Sequence, residues 1–331
     1  MDLELFDLYT TDASFNLAAE QYVFDALPRD RAYFMLWQNK NAVIIGKYQN
    51  TQAEINAAYL RENGVQVVRR LSGGGAVYHD MGNLNFTFIT DAPSSGKVDL
   101  GLFCRPVVAT LRALGVPAEL NGRNDLSIDG KKFSGNAQYV RQGRVMHHGT
   151  LLFDSDLEKV GQALHVDADK IQSKGIQSVR SRVTNIRPYL DASITLPEFR
   201  RLFIEKLFAE TPAQTRAFSP ADIEAIEAIR EARYTRWDWN FGQSPQFSVE
   251  KKRRFEGCGT VTALLNAEHA RITALSFHGD FFSTLEPELL ARALLGCPLQ
   301  EEALRERLET IEVPLYLNGL GAEDLIRLLL Y

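Results

Sequence analysis

At 331 residues, with 45% hydrophobic and 24% charged side chains, the chain has an ordinary globular composition and room for two domains. A formal net charge of −5 excludes a bulk electrostatic pull toward nucleic acid, and three scattered cysteines (104, 258 and 297) exclude a disulfide framework and paired CxxC zinc ligands. The opening Met1-Asp2-Leu3-Glu4-Leu5 has no basic n-region and no stretch approaches the ~20 apolar residues of a membrane span, so no membrane association and a cytoplasmic location are expected.

Phe15, Ala18, Ala19, Tyr22, Val23 and Ala26 recur at helical spacing, which predicts a helix over 14–27 capped by Ser14 and closed by Pro28. Residues 33–37 and 42–45 read as strands about a polar turn, and 53–63 as a helix ended by Gly64. Next comes Arg69-Arg70-Leu71-Ser72-Gly73-Gly74-Gly75-Ala76-Val77-Tyr78-His79, poor in core-forming side chains and lying between strand-like 66–68 and the strictly alternating 84–89. Three residues without a Cβ let backbone N–H groups approach an anion, with Arg70 and Ser72 beside them. The competing reading is a wide turn or bulge whose glycines only relieve strain. Spelling excludes two familiar phosphate loops, since Gly75 is followed by Ala76-Val77 and not Lys-Ser/Thr, and Tyr78 fills the last glycine of a dinucleotide fingerprint.

Cys104, Val107, Val108, Leu111 and Leu114 line one face of a predicted helix ended by Gly115, so Cys104 is expected as a small buried hydrophobe. Residues 125–128 and 131–140 form a predicted hairpin about Asp129-Gly130, and 145–153 add a third antiparallel strand. Alternation puts Lys132 and Ser134 on one face with Lys131 and Phe133 on the other, and points His147 and His148 apart, which argues against a shared zinc site. The glycine loop, this hairpin and the histidine strand are expected to converge in one antiparallel sheet. Capping-box spacings at Ser155/Glu158 and Thr195/Glu198 open predicted helices over 156–164 and 196–209. Between them, 165–188 is aperiodic and carries Lys170, Lys174, Arg180, Arg182 and Arg187, as a binding loop or as a solvated surface loop would. A helix over 218–230 and an aperiodic 236–245 lead to an expected domain boundary at 245/246. Strands over 247–282 and helices over 285–295, 302–308 and 322–330 then complete a small α+β domain. The run Lys251-Lys252-Arg253-Arg254 is expected to be a solvated strand edge.

Several segments, in order, resemble the motif series of bacterial lipoate–protein ligase A. They are Phe15-Asn16-Leu17-Ala18, Arg70 to Asp80, Gly122-Arg123-Asn124-Asp125, Lys132-Phe133-Ser134-Gly135-Asn136-Ala137, His147-His148-Gly149-Thr150-Leu151-Leu152, Ser178 to Asn185 and Trp239-Asn240-Phe241-Gly242. The resemblance implies an α+β fold of the biotin/lipoyl ligase type. A large catalytic domain (1–245) of mainly antiparallel and mixed sheet flanked by helices would precede a small α+β accessory domain (246–331). It implies a two-step enzyme, in which lipoate and ATP give lipoyl-adenylate and pyrophosphate and a lysine of a lipoyl domain then takes the lipoyl group. By match, Lys132 is the implied catalytic residue, touching the lipoate carboxyl and the α-phosphate. Arg70, Gly75, Ala76, Val77 and Tyr78 would hold ATP with it, and Ser72, Gly73, Gly74, His148 and Gly149 would bind lipoate with it along an apolar tunnel. Ser178, Val179, Arg180, Arg182 and Val183 would belong to a loop over the adenylate. Mg²⁺ would enter on the nucleotide phosphates, with no protein ligand assigned. The implied partners are apo lipoyl domains of 2-oxoacid dehydrogenase E2 subunits and the glycine cleavage H protein. Leu71 departs from the small polar residue common at that position. Rival readings are an octanoyl or lipoyl transferase of the same fold, which needs a thiol near the glycine loop or a preactivated donor, a biotin ligase, and a non-catalytic binder of lipoyl domains.

Overall fold

The computed structural model describes every residue except 1, 48, 50, 93–98, 122–124, 165–181, 243–246, 280 and 282. Packing divides the chain into two compact units, Met1–Lys47 with Gly64–Arg236, and Tyr48–Asn63 with Trp237–Tyr331.

In the first unit the strands are β1 (Asp2–Asp7), β2 (Arg31–Trp37), β3 (Ala42–Ile45), β4 (Gln66–Arg69), β5 (Val77–His79), β6 (Asn83–Asp91), β7 (Ala118–Asn121), β8 (Asp125–Ile128), β9 (Lys131–Arg141), β10 (Arg144–Leu152) and β11 (Gln214–Thr215). Eight of them form a mixed sheet in the order β11-β1-β2-β6-β10-β9-β8-β7, and β4-β3-β5 form a second, three-stranded sheet. The alternation along β6 decides its two faces. Leu84 and Phe86 turn into a core with Leu36, Phe133, Val107, Phe199 and Phe203, beneath the helices Leu100–Ala113 and Leu196–Leu207. Fully burying each such side chain contributes about 1.5–3 kcal/mol. Asn85 and Thr87 face the other way, and Thr87 Oγ1 donates to Glu20 on the helix Ala13–Ala26.

The Asp129-Gly130 turn forms as its residue types require, with φ of 50° and 73°, and joins β8 to β9 as a hairpin. The expected single sheet does not form. The glycine loop connects β4 to a short β5 in the smaller sheet, whereas the hairpin and the histidine strand lie in the larger one. Strand β3 pairs with β4 and β5 and not with β2, because its partners are chosen by long-range packing.

Helix caps also differ from the spacing rules. Asp12, not Ser14, caps the first helix, its carboxylate accepting from Phe15 N at 2.9 Å while the Ser14 hydroxyl donates to it. Asp156, not Ser155, caps Leu157–Ala163. Thr195 occupies a cap position without a side-chain bond. At the first two of these a carboxylate one or two residues away supplies a stronger acceptor than the hydroxyl the spacing singles out. The full capping box occurs instead at Ser219 and Asp222, opening Pro220–Ile229. The stretch read as aperiodic forms wide helical turns at Asp238–Gly242, after similar turns at Arg230–Tyr234.

The second unit is an antiparallel meander of β12 (Phe247–Phe255), β13 (Gly259–Glu268) and β14 (Arg271–Gly279). Helices Pro287–Ala293, Glu301–Leu308 and Ala322–Leu330 and the unpredicted short helix Val313–Tyr316 pack with it around Val261, Leu265, Leu290, Leu304 and Leu325. Segment Tyr48–Asn63 belongs to this unit, and its residues 53–63, read from sequence as one helix of the larger domain, fall instead in two short helices, Thr51–Glu54 and Ala57–Glu62. Thr51 Oγ1 donates to Asn240 O at 2.6 Å, and Arg61 pairs with Glu301 and lies over the Tyr331 ring. Edge strand β12 leaves Lys252, Arg253 and Arg254 exposed, as a solvated edge does. Among the described residues no helix is long and apolar enough to cross a membrane.

Candidate functional site

The glycine loop is shaped from within by Arg70. Its guanidinium is buried and donates to Ser72 Oγ, Ile44 O, Gly73 O and Gly75 O at 2.7–3.2 Å, so the side chain holds the loop carbonyls inward. Burial lowers its pKa to about 10, against the opposing pull of Glu20, and it remains a cation at neutral pH. Gly74 has φ +95°, and a Cβ there would stand 3.0 Å from Arg70 Nη2, so glycine is required on both counts. At Gly75 a Cβ would meet nothing within 4 Å, which marks the open side of the loop.

A buried polar chain ties the two sheets together. Ser72 Oγ lies 2.6 Å from His148 Nε2, and His148 Nδ1 donates to Glu20 Oε1 at 3.0 Å. Trp37 Nε1 donates to Thr87 Oγ1 at 2.8 Å, and that hydroxyl donates in turn to Glu20. His147 points to the opposite face, stacked between Phe86 and Phe103, where burial lowers its pKa to about 3.

Lys132 stands at the start of β9, where a bulge opposite Leu126/Ser127 breaks simple alternation. Phe133 and Ser134 are therefore both buried, and the half-exposed Lys132 pairs with Asp125 at 2.7 Å. Its carbonyl accepts from Thr184 N at 2.9 Å, and Val183 bridges to it in parallel.

These parts enclose a cavity of about 130 Å³. Leu17, Trp37 and Ile44 form an apolar wall, and Arg70, Gly74, Gly75, Ala76, Val77, Lys132, His148 and Gly149 line it from the two sheets. Ser72 is buried beside His148, and Gly73 supplies a carbonyl to Arg70. Tyr78 is turned away, its hydroxyl donating to Asn41 Oδ1 at 2.8 Å. Ser178, Val179 and Arg180 lie outside the described residues, while Arg182 and Val183 lie within them. Gly149 has a packing reason to lack a side chain, because a Cβ would fall 2.2 Å from Asn136 Oδ1 and 2.5 Å from Phe86 Cζ.

Sequence reasoning assigned no role to His79, Asn85 or Asp125, although His79 and Asp125 fall within the quoted motifs and Asn85 lies on the alternating strand that follows the glycine loop. Asn85 had a readable signal, since a polar residue on the off-core face of an alternating strand faces something other than the core. Cys104 is fully buried on the helix Leu100–Ala113, away from the cavity wall, and burial with the nearby Asp99 pushes its thiol up to about 12. Among the described residues no group of three His, Cys, Asp or Glu is placed to hold a metal.

The family model described as the lipoyl protein ligase A/B catalytic domain matches residues 12–208, and that of the bacterial lipoate protein ligase C-terminus matches residues 244–329. The chain belongs to the lipoate–protein ligase family. As a member it is an enzyme, a ligase acting on lipoate and protein. It is 40% identical over 319 residues to lipoate–protein ligase 1 of Staphylococcus aureus, covering 96% of this chain and 97% of that one. It is 41% identical over 321 residues to the lipoate–protein ligase LplJ of Bacillus subtilis, with the same coverage. Among solved lipoate–protein ligases, a bipartite archaeal enzyme from Thermoplasma acidophilum, described with its E2 lipoyl domain, superposes with a TM-score of 0.65 at 28% identity, over 75% of this chain and all of that one. A T. acidophilum protein with bound lipoic acid and a lipoate–protein ligase A bound with ATP give 0.61 and 0.62, both at 26% identity over 73% of this chain and all of theirs.

Proposed function

We propose that this ligase performs both half-reactions in the cavity between Lys132 and the glycine loop. The observation that carries the proposal is that Lys132, Gly74, Gly75, Ala76 and Val77 line one cavity although they come from different sheets. In the first step a lipoate carboxylate oxygen attacks the α-phosphorus of ATP, the new P–O bond forms, and pyrophosphate leaves with the electron pair. The two anions repel, and a fixed ammonium at 132 between them lowers the charge that develops. Arg70 acts by holding the loop, so that backbone N–H groups of 75–77 face the nucleotide. The lipoyl chain lies along Leu17, Trp37 and Ile44, with Ser72 and His148 behind it. In the second step a lysine amine of the acceptor attacks the acyl carbon, and AMP leaves.

Mg²⁺ would be held by Asp125 together with nucleotide phosphates and water, because Mg²⁺ takes only one or two carboxylates in such sites and the part-exposed Asp125 carboxylate stands beside Lys132, within reach of water. When bound it offsets charge on the phosphate oxygens. We assign both steps to residues 1–245 and an accessory role to 246–331. The solved relatives with ATP, with lipoic acid and with an E2 lipoyl domain support these substrates and an apo lipoyl domain as acceptor, with the H protein a further candidate. Three buried free thiols fit a reducing, cytoplasmic setting. Incubation with ATP, Mg²⁺, lipoate and an apo lipoyl domain should yield AMP and a lipoyl mass increment on the acceptor. Acylation without ATP, or ATP use without AMP, would overturn the reading.

A further inference from the structure

We propose that His79 and Asn85 form a neutral two-donor site for the acyl oxygen, holding the negative charge that develops on it when the acceptor amine attacks. The inference rests on the ligase reading above and assigns a task to two residues that it leaves idle.

Both side chains line the cavity and are almost wholly buried, His79 3% and Asn85 1% exposed. His79 Nε2 and Asn85 Nδ2 have no hydrogen-bond partner among the described residues. A buried polar group left without a partner is costly, so a pair lining a cavity marks a place where ligand oxygen is received. The donor character of each is set by its neighbours. Asn16 Nδ2 donates to Asn39 Oδ1 at 2.9 Å, which turns the Asn39 amide nitrogen toward His79 Nδ1 at 3.1 Å. Nδ1 therefore accepts, and the ring proton stands on Nε2, the atom without a partner. Asn85 Oδ1 is occupied by Asn83 Nδ2 at 2.8 Å, leaving its own NH₂ free.

Both residues line the cavity that Lys132 also lines. Asn85 is paired across the sheet with Thr150, whose Oγ1 accepts from Gly135 N at 3.1 Å, and a Cβ on Gly135 would lie 3.2 Å from Lys132 Nζ. Asn85 is also paired with Trp37, whose indole lies 6.2 Å from the His79 ring. Burial, with Arg70 and His148 nearby, holds the His79 pKa near 3, so the imidazole donates throughout the working range without exchanging its proton. Such an imidazole is not the base that deprotonates the acceptor lysine.

In the step itself the amine nitrogen forms a bond to the acyl carbon and the carbonyl pair moves onto oxygen, where the two N–H groups receive it. The pair then returns, the bond to the phosphate oxygen breaks, AMP departs with its electrons, and the ammonium releases one proton to solvent.

The test uses full-length protein and synthetic lipoyl-AMP with an apo lipoyl domain in single-turnover transfer. Wild-type protein serves as the control for the ligase reading, because failure of wild type to transfer refutes that reading and not this one. His79→Gln keeps an N–H at the Nε2 position and should transfer within about tenfold of wild type. His79→Asn moves the amide to the Nδ1 position, and Asn85→Asp replaces a donor by an acceptor; each should slow transfer by about 10²-fold with lipoyl-AMP affinity changed less than about tenfold. Thermal melts check that each variant is folded. The proposal is overturned if folded His79→Asn and His79→Gln transfer equally fast, or if loss of rate follows loss of lipoyl-AMP affinity. Should His79→Asn fail to fold, Asn85→Asp decides alone by the same rate-against-affinity comparison.

Discussion

Replacing Lys132 by alanine separates the needs of folding from those of chemistry. Its ammonium is 2.7 Å from Asp125, yet the two side chains are 43% and 38% exposed, so water screens the pair. Pairs of that exposure contribute ~0.2–1 kcal/mol to stability, and the backbone bond from Thr184 to the Lys132 carbonyl does not depend on the side chain. The urea midpoint of Lys132→Ala should therefore correspond to a loss of at most about 1 kcal/mol. Loss of the only ammonium lining the cavity among the described residues, by contrast, should slow lipoyl-AMP formation by at least about 10²-fold, or about 2.7 kcal/mol of barrier. Arginine should not restore the rate, because a planar, delocalised guanidinium fork does not reproduce the compact point charge of an ammonium. Pyrophosphate release with lipoate and ATP measures the first effect, and urea titration of the same preparation measures the second. Adenylation within tenfold of wild type would refute the role given to the ammonium. A stability loss above about 3 kcal/mol with activity falling only in proportion to folded protein would instead make the residue structural.

Gly149→Ala forces a methyl to within 2.2 Å of Asn136 Oδ1, and should lose stability at the upper end of the ~1–3 kcal/mol typical of overpacking. An unchanged melting temperature with weakened lipoate binding would show that the glycine serves the ligand instead. Cys104→Ser should keep ligation within about threefold at some loss of stability, because the thiol is buried and inert; folded protein that forms no lipoyl-AMP would revive a thioester route. His79 and His147 both have pKa values lowered by burial from 6.5 to about 3, so between these limits the unfolded chain binds protons that the folded chain does not. Stability should fall as pH drops below about 6.5, by up to about 1.4 kcal/mol per unit for each histidine, and a flat urea midpoint from about pH 6.5 to 4.5 would contradict their burial as neutral rings.

Local chemistry determined those parts of the protein that need only a few neighbouring residues. The Asp129-Gly130 turn, the helix through Cys104 with Gly115 at its end, and the two faces of β6 follow from backbone preferences and side-chain alternation, which a linear string displays. The motif series likewise carried the family, because residue identities at fixed spacing survive without knowledge of the fold. Tertiary structure alone decided which elements face one another. Ser72 meets His148 across 76 residues of chain, the glycine loop lies in a different sheet from the hairpin that carries Lys132, and the segment 48–63 packs with the second unit. Alternation states that Asn85 points away from the core, but not that His79 lines the same cavity, since pairing partners are set by burial and hydrogen bonding summed over distant segments. A bulge of one residue at Lys132 is enough to change which side chains share a face, and no local preference announces it.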